Sequence, residues 1–232
     1  MKTVAIIPAG GTGRRMQGRT AKQYLHLNGL PILARTLDKF QRSEIIDAIF
    51  LVIPAADMED VHAAIVERHG FTKVAKIFPG GRERQDSVWR GVSAVDQDVD
   101  IVLIHDAVRP FISETLIRES ITQADRRGAV VVAVPARDTV KICAEAERVS
   151  CTPQRHQVWL AQTPQTFRRE IIKRAYEAAY RDGFYGTDDA SLAERIGIDV
   201  TIIAGSYDNI KITTPDDLVM AEHLLQKEER AS

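Results

Sequence analysis

The amino-acid sequence predicts an α/β fold: a mainly parallel β-sheet with helices on both faces, plus a projecting β-arm. Three observations carry that prediction. Short β-branched runs recur from one end of the chain to the other, and amphipathic stretches of helical period lie between most of them. Strands that alternate with helices imply βαβ units, and so a Rossmann-like sheet covered on both sides. No internal repeat, low-complexity tract or Pro/Gly/Ser linker breaks the pattern, so residues 1–232 read as a single domain.

In chain order, the β-branched runs place strands at Val4–Ile7, Ala48–Ile53, Lys73–Phe78, Ile101–Ile104, Ala129–Val134, Val158–Gln162 and Val200–Ile203. Apolar residues at helical spacing place helices at Pro31–Gln41, Met58–His69, Arg84–Val95, Glu114–Arg127 and Glu170–Arg181. A last helix opens on Thr214-Pro215-Asp216-Asp217, which supplies an N-cap, a proline at the first helical position and an acid three residues on. Asp138–Thr152 departs from the rhythm. It reads as two short strands around the polar turn Ala144–Glu147. Pattern alone leaves open whether this insert projects as an arm or packs as a surface hairpin.

Composition bounds the function. The 232 residues are 44% hydrophobic and 27% charged, enough apolar material for a real core. A net charge of −1, from 31 Lys+Arg against 32 Asp+Glu, argues against a nucleic-acid coat or a polybasic membrane binder. No apolar run approaches the roughly 18–20 residues that span a bilayer. The first strand is cut short by Pro8 and glycines, unlike a signal peptide. Cys143 and Cys151 show no metal-ligand spacing; a disulfide is open to them, but buried or idle thiols in a reducing cytosol is the expectation. The six histidines show no metal spacing either. Charge is distributed unevenly. Lys2, Arg14, Arg15, Arg19, Lys22 and Arg35 precede the first acid, Asp38, so an anion is expected near the N-terminus.

The most informative segment runs from Val4 through Pro8-Ala9-Gly10-Gly11-Thr12-Gly13-Arg14-Arg15-Met16. A buried strand enters a glycine turn followed by arginines. Glycines let backbone N–H groups approach phosphate, and arginines supply charge and forked donors. A dinucleotide fingerprint would need a third glycine where Met16 stands and a ribose acid about 20 residues on, and no acid occurs before Asp38. A P-loop reading over Gly13–Thr20 puts Arg19 where the motif needs lysine and falls late relative to the strand. Neither fits the whole segment.

Together with Lys22-Gln23-Tyr24, the loop resembles the signature of nucleotidyltransferases that activate sugars and polyols. Six further motifs follow in order: Gly80-Gly81-Arg82-Glu83-Arg84-Gln85-Asp86-Ser87-Val88, His105-Asp106-Ala107-Val108-Arg109-Pro110, Arg137-Asp138-Thr139-Val140-Lys141, Thr163-Pro164-Gln165, Thr187-Asp188-Asp189-Ala190-Ser191 and Asp208-Asn209-Ile210-Lys211-Ile212-Thr213. The series, covering residues 4 to about 222, resembles the 2-C-methyl-D-erythritol 4-phosphate cytidylyltransferase family of the non-mevalonate isoprenoid pathway. Departures from the family pattern are Ala21 in place of a proline, Gly10 in place of an alanine, and Arg82 where an acid is common.

The resemblance implies transfer of a cytidylyl group from CTP to a polyol phosphate, with release of pyrophosphate. About six negative charges then share one pocket, so positioning and electrostatics carry the catalysis. It implies Arg15 and Lys22 at the transition state, with Arg155 and Lys211 also catalytic. Ala9, Gly10, Gly11, Gly13, Gly81, Ser87 and Ala107 would bind nucleotide. Asp106, Arg109, Thr139, Arg155, Thr187 and Lys211 would bind the acceptor. Without the resemblance, Arg155 and Lys211 read as surface charges, Ser87 as a helix-entry serine, and Asp106 with Arg109 as a capping pair at a strand end. Mg²⁺ is the implied cofactor, held largely by CTP phosphates and water, with Asp106 the nearest candidate ligand. A cytoplasmic homodimer is implied, in which Thr139 and Arg155 act from the neighbouring subunit through an exchanged arm at about 138–152. Ribitol 5-phosphate cytidylyltransferase, making CDP-ribitol, shares the motifs and is the nearest alternative. A P-loop NTPase and a non-catalytic CTP-binding module are the readings from other classes.

Overall fold

The computed structural model describes residues 1–10, 21–144 and 147–231. Among these, seven strands form one sheet in the order β11-β7-β10-β6-β1-β4-β5. They are β1 (Thr3–Pro8), β4 (Ala48–Ile53), β5 (Val74–Pro79), β6 (Ile101–Ile104), β7 (Ala129–Pro135), β10 (Trp159–Arg168) and β11 (Thr201–Ala204). All neighbouring pairs are parallel except those made by β10, which runs antiparallel to both β6 and β7. The predicted strand at Val158–Gln162 is therefore longer than its β-branched run, and its register shifts between Ala161 and Gln165.

Each central strand splits its side chains between two cores. Ala5, Ile7, Leu51, Ile101 and Leu103 face one side, where helices α1 (Ile32–Arg42) and α4 (Glu114–Arg127) contribute Leu33, Leu37, Phe40, Ile117 and Ile121. Val4, Ile6, Val52, Val102 and Ile104 face the other, against α3 (Arg84–Ser93), α5 (Arg169–Arg181) and α6 (Asp189–Arg195). The two-sided burial predicted from strand–helix alternation is thus realised. A buried Ile, Leu or Val contributes roughly 1.5–3 kcal/mol, so the four fully buried residues of β6 make a stiff floor beneath the segment that follows them.

Local signals explain the ends. The Ser113 hydroxyl accepts from Leu116 N at the start of α4, and Gly128 closes it at φ 90°. The last helix, α7 (Pro215–Ala231), opens as predicted: Thr214 Oγ1 accepts from Asp217 N, and Asp217 Oδ2 accepts from the backbone of Thr213 and Thr214. The predicted helix at Met58–His69 is α-helical over α2 (Met58–Val61) and π-helical over His62–Glu67. A hairpin of β2 (His26–Leu27) and β3 (Leu30–Pro31) turns on Asn28 and Gly29, both at positive φ. Asn-Gly is the dipeptide that such two-residue turns favour. Under α7, a third cluster joins Leu27, Ile32, Val108, Phe111 and Ile212.

The insert forms its own two-stranded sheet, β8 (Ile142–Cys143) with β9 (Val149–Cys151), and every described residue of it from Lys141 to Thr152 is exposed. It is an arm. Cys143 and Cys151 are free, and both are exposed on the arm rather than buried. No helix among the described residues is long and apolar enough to cross a membrane.

Candidate active site

The strand order reverses about β1, with β4 on one side and β6 on the other, and ligands of open α/β sheets bind at the carboxyl ends beside such a point. A pocket of about 290 Å³ lies there, between the ends of β1 and β6, the first turn of α3 and the segment leading to α7. Of the sequence-predicted residues, Ala9, Gly10, Lys22, Gly81, Ser87, Asp106, Ala107 and Lys211 line it together. Gly11, Gly13 and Arg15 lie outside the described residues. Arg109 sits behind Asp106 rather than on the wall. Thr139, Arg155 and Thr187 are exposed and do not line the pocket of their own chain. Arg155 donates to the Arg137 carbonyl at 3.3 Å, at the root of the arm.

One side of the pocket is built from backbone brought close. The Ala9 N–H donates to Val52 O at 2.7 Å, and the Thr36 hydroxyl donates to Ala107 O at 2.8 Å. Ser87 Oγ accepts from Gly81 N at 3.0 Å and donates to Glu83 O at 3.1 Å. Ser87 is therefore both a first-turn helix residue and the anchor of the Gly81 turn. A side chain on Gly81 would overlap the Cβ of Asp86, so this approach requires glycine. Gly10 differs: a Cβ there would meet Ser87 Oγ at 3.6 Å, ordinary contact, so the alanine common in related loops would fit equally well.

The other side is a charge cluster around Asp106. Lys211 Nζ lies 2.9 Å from Oδ2, Arg109 Nε 3.5 Å from Oδ2, and Arg84 Nε 3.4 Å from Oδ1. Burial by itself would raise the Asp106 pKa. The three cations outweigh burial and hold the carboxyl well below the usual carboxylate range. Arg84 also grips buried Asp189 with both Nη atoms, at 3.1 and 2.8 Å, and Tyr176 OH donates to the same carboxylate at 2.5 Å.

Beneath Asp106 lies a buried polar junction. His105 Nε2 is 3.0 Å from the Arg109 carbonyl, which can only accept, so this nitrogen carries the proton. Nδ1 then accepts from the Thr163 hydroxyl at 3.1 Å, and that hydroxyl accepts from Asp106 N at 3.0 Å. Burial lowers the His105 pKa to about 4, against the pull of the bond to Arg109, so the ring is neutral. Arg109 in turn donates to the Asn209 carbonyl at 2.7 Å, tying the Asp106 turn to the segment that carries Lys211.

The donor set does not make Asp106 a free metal ligand, since both its oxygens face cations. Among the described residues no three His, Cys, Asp or Glu side chains gather into a metal cage, and residues 11–20 contain none of those types. What the pocket presents instead is positive charge. Lys22, Arg82, Arg84 and Lys211 line it against Glu83 and Asp106.

Three residues of the site carried no role in the sequence reading: Arg84, Asp189 and Gln23. All three lie within or beside the quoted motifs, and that position was the available signal. Their partners are far away in sequence, which spacing alone does not reveal.

The family model described as IspD, 2-C-methyl-D-erythritol 4-phosphate cytidylyltransferase, matches residues 3–227. The chain is 52% identical over 228 residues to the protein of that name from Syntrophus aciditrophicus (strain SB), covering 98% of this chain and 97% of the other. It is 48% identical over 230 residues to the one from Geobacter metallireducens (strain ATCC 53774 / DSM 7210 / GS-15), covering 98% and 99%. Among solved structures it resembles 4-diphosphocytidyl-2C-methyl-D-erythritol synthase from Anaerococcus prevotii DSM 20548, with a TM-score of 0.85, 37% identity, and coverage of 97% and 96%. The Francisella tularensis 2-C-methyl-D-erythritol 4-phosphate cytidylyltransferase gives a TM-score of 0.82 at 33% identity, covering 97% and 100%.

Proposed function

The chain belongs to the 2-C-methyl-D-erythritol 4-phosphate cytidylyltransferase family, and from that premise we propose how its residues divide the work. The reaction transfers a cytidylyl group from CTP to 2-C-methyl-D-erythritol 4-phosphate. It gives 4-diphosphocytidyl-2-C-methyl-D-erythritol and pyrophosphate. The relatives reported above all carry this activity in their names, and none is a ribitol phosphate enzyme. The observation that carries the residue assignments is one pocket at the sheet's carboxyl edge where backbone of Gly10 and Gly81 meets Lys22, Arg84 and Lys211.

An oxygen of the acceptor phosphate attacks the α-phosphorus of CTP in line, and pyrophosphate leaves from the opposite side. The acceptor oxygen is already anionic at neutral pH, so no general base is needed. Lys22 and Arg15 stabilise the charge that gathers on the α-phosphoryl oxygens. Ala9, Gly10, Gly11, Gly13, Gly81, Ser87 and Ala107 form the nucleotide cradle. Lys211 and Thr187, with Thr139 and Arg155 from the neighbouring subunit, hold the acceptor phosphate and polyol; Arg109 braces Asp106 from behind, and the ionised Asp106 accepts from acceptor hydroxyls. Mg²⁺ would enter with CTP rather than sit in a cage of this chain's carboxylates, and would supply charge that offsets part of the triphosphate's.

The functional unit is a homodimer with exchanged arms, in the cytoplasm where CTP and phosphorylated polyols are found. Three features support the exchange. Thr139 and Arg155 do not line their own chain's pocket. The arm exposes Ile142 and Val149, by 49% and 52%. The start of β10 exposes Trp159 and Leu160, by 38% and 50%. Such a row of apolar side chains calls for a covering partner.

Pyrophosphate release tests the acceptor assignment. With CTP, release is expected with methylerythritol phosphate and not with ribitol 5-phosphate. Release with ribitol phosphate alone would overturn the acceptor assignment, and hydrolysis of ATP or GTP without acceptor would overturn the reaction class.

A further inference from the structure

Two buried glutamines stand inside motifs, yet the reaction scheme uses neither. Both hold backbone on the flanks of Thr187. Gln85 donates from Nε2 to Phe184 O at 3.0 Å and accepts at Oε1 from Gly186 N at 2.9 Å. Gln165 accepts at Oε1 from the N–H groups of Asp189 and Ala190, both at 2.9 Å, and donates from Nε2 to Asp188 Oδ2 at 2.8 Å. They are 6% and 2% exposed. A primary amide offers donor and acceptor at one tip, so a single side chain can clasp two points of a strand-like segment.

Between the two clasps only Thr187 and Asp188 remain. Gly186 is pressed onto α6: a Cβ there would lie 2.5 Å from Ser191 Oγ and 2.8 Å from Leu192 Cδ2. Thr187 itself is exposed. The helix does not need Gln165 for its entry, because Asp188 Oδ1 already accepts from Ser191 N at 3.0 Å. An exposed hydroxyl on a loop fixed from α3 on one side and β10 on the other is more order than the fold demands.

We propose that Gln85 and Gln165 are positioning residues that preorder Thr187 to receive the acceptor phosphate. This rests on the assignment of Thr187 to the acceptor made above. Holding a donor in its bound geometry removes an ordering cost from binding. The effect therefore falls on the acceptor and not on CTP, because both glutamine side chains bond to the segment around Thr187, whereas Gly81 of the nucleotide cradle is anchored separately by Ser87.

The test replaces each glutamine by methionine, which keeps length and removes every hydrogen bond of the amide, alongside Thr187→Ala and the two double variants. In Gln85→Met and Gln165→Met the KM for methylerythritol phosphate should rise on the order of 10-fold, with the KM and direct binding of CTP unchanged within about twofold. Each double variant should be no worse than Thr187→Ala alone, because the glutamines act through that residue. If Thr187→Ala raises the acceptor KM but neither methionine variant does, positioning is refuted and the Thr187 assignment stands. No effect in Thr187→Ala removes that assignment, and the proposal with it. Equal losses for CTP and acceptor would mark a merely structural role and also overturn it. Should Gln165→Met fail to fold, Gln85→Met carries the same comparison.

Discussion

The Gln23 side chain donates to the Ala9 carbonyl across 2.7 Å, joining the segment that carries Lys22 to the end of β1. Gln23 is 1% exposed, so this bond is made where water cannot replace it. It fixes both flanks of the glycine-rich segment to one point. Gln23→Ala leaves that carbonyl unsatisfied in a buried site, which costs about 1–3 kcal/mol. Chemical denaturation should show that loss, and kinetics should show a lower kcat/KM for CTP.

Lys22→Ala and Arg15→Ala should each reduce kcat by about 10²-fold or more, because each removes charge that counts most at the transition state. Arg19→Ala should have far less effect. Steady-state pyrophosphate assays at saturating CTP separate these outcomes. The opposite ranking would favour a P-loop mode of phosphate binding.

Arm exchange predicts complementation. Lys22→Ala and Arg155→Ala, each inactive alone, should regain about one quarter of the parent activity when unfolded together and refolded at equal amounts. Half of the dimers are then mixed, and each mixed dimer has one intact site. Recovery near zero would show that Arg155 serves its own chain.

Stability should fall with pH in two separate windows. The His105 pKa is lowered in the fold to about 4, so the unfolded chain takes up a proton first as pH drops below the ordinary 6.5. Stability is lost from there down to about 4, at up to about 1.4 kcal/mol per pH unit. Asp106 is depressed, so its contribution is lost only below the ordinary value of 3.8. Melting temperatures of the parent and His105→Asn across pH 4–7 should show the first slope shrinking in the variant.

Ala21 has φ −63° and ψ 138°, a conformation that proline adopts without strain. Ala21→Pro should therefore raise stability by about 0.4–1 kcal/mol through the unfolded chain. Thermal melts check the gain, and unchanged turnover would show that the loop tolerates either residue.

Legibility in the sequence followed the range of the forces involved. Strands such as Ile101–Ile104 and helix entries such as Thr214-Pro215 are dictated locally, by burial on two faces and by capping, and the structure places them as read. The antiparallel course of β10 is not local. Its partners β6 and β7 select its direction, and no periodicity in Val158–Gln162 encodes that. Helix α6 is too short for a periodic signal, and the Asn28-Gly29 turn joins strands of only two residues each, too short for an alternating pattern. At the site, motif positions identified Asp106 and Lys211, which meet at 2.9 Å. Arg84 was missed because a half-buried arginine looks like a surface one until Asp189, 105 residues away, is brought beside it.

The first turn of α3 sends four consecutive side chains to four destinations. Arg84 reaches Asp106 and Asp189, and Gln85 reaches the backbone before Thr187. Asp86 accepts from Tyr180 and Tyr185, and Ser87 anchors Gly81. The solvent-facing positions of a helix ordinarily accept substitution at little cost. Here every azimuth of the turn is occupied, so mutational tolerance should collapse across a contiguous block rather than at a helical period. The same crowding sets the supports of both half-sites side by side on one turn of helix: a shift of that turn's backbone would reach both walls, while a change confined to one side chain reaches only the wall that side chain holds.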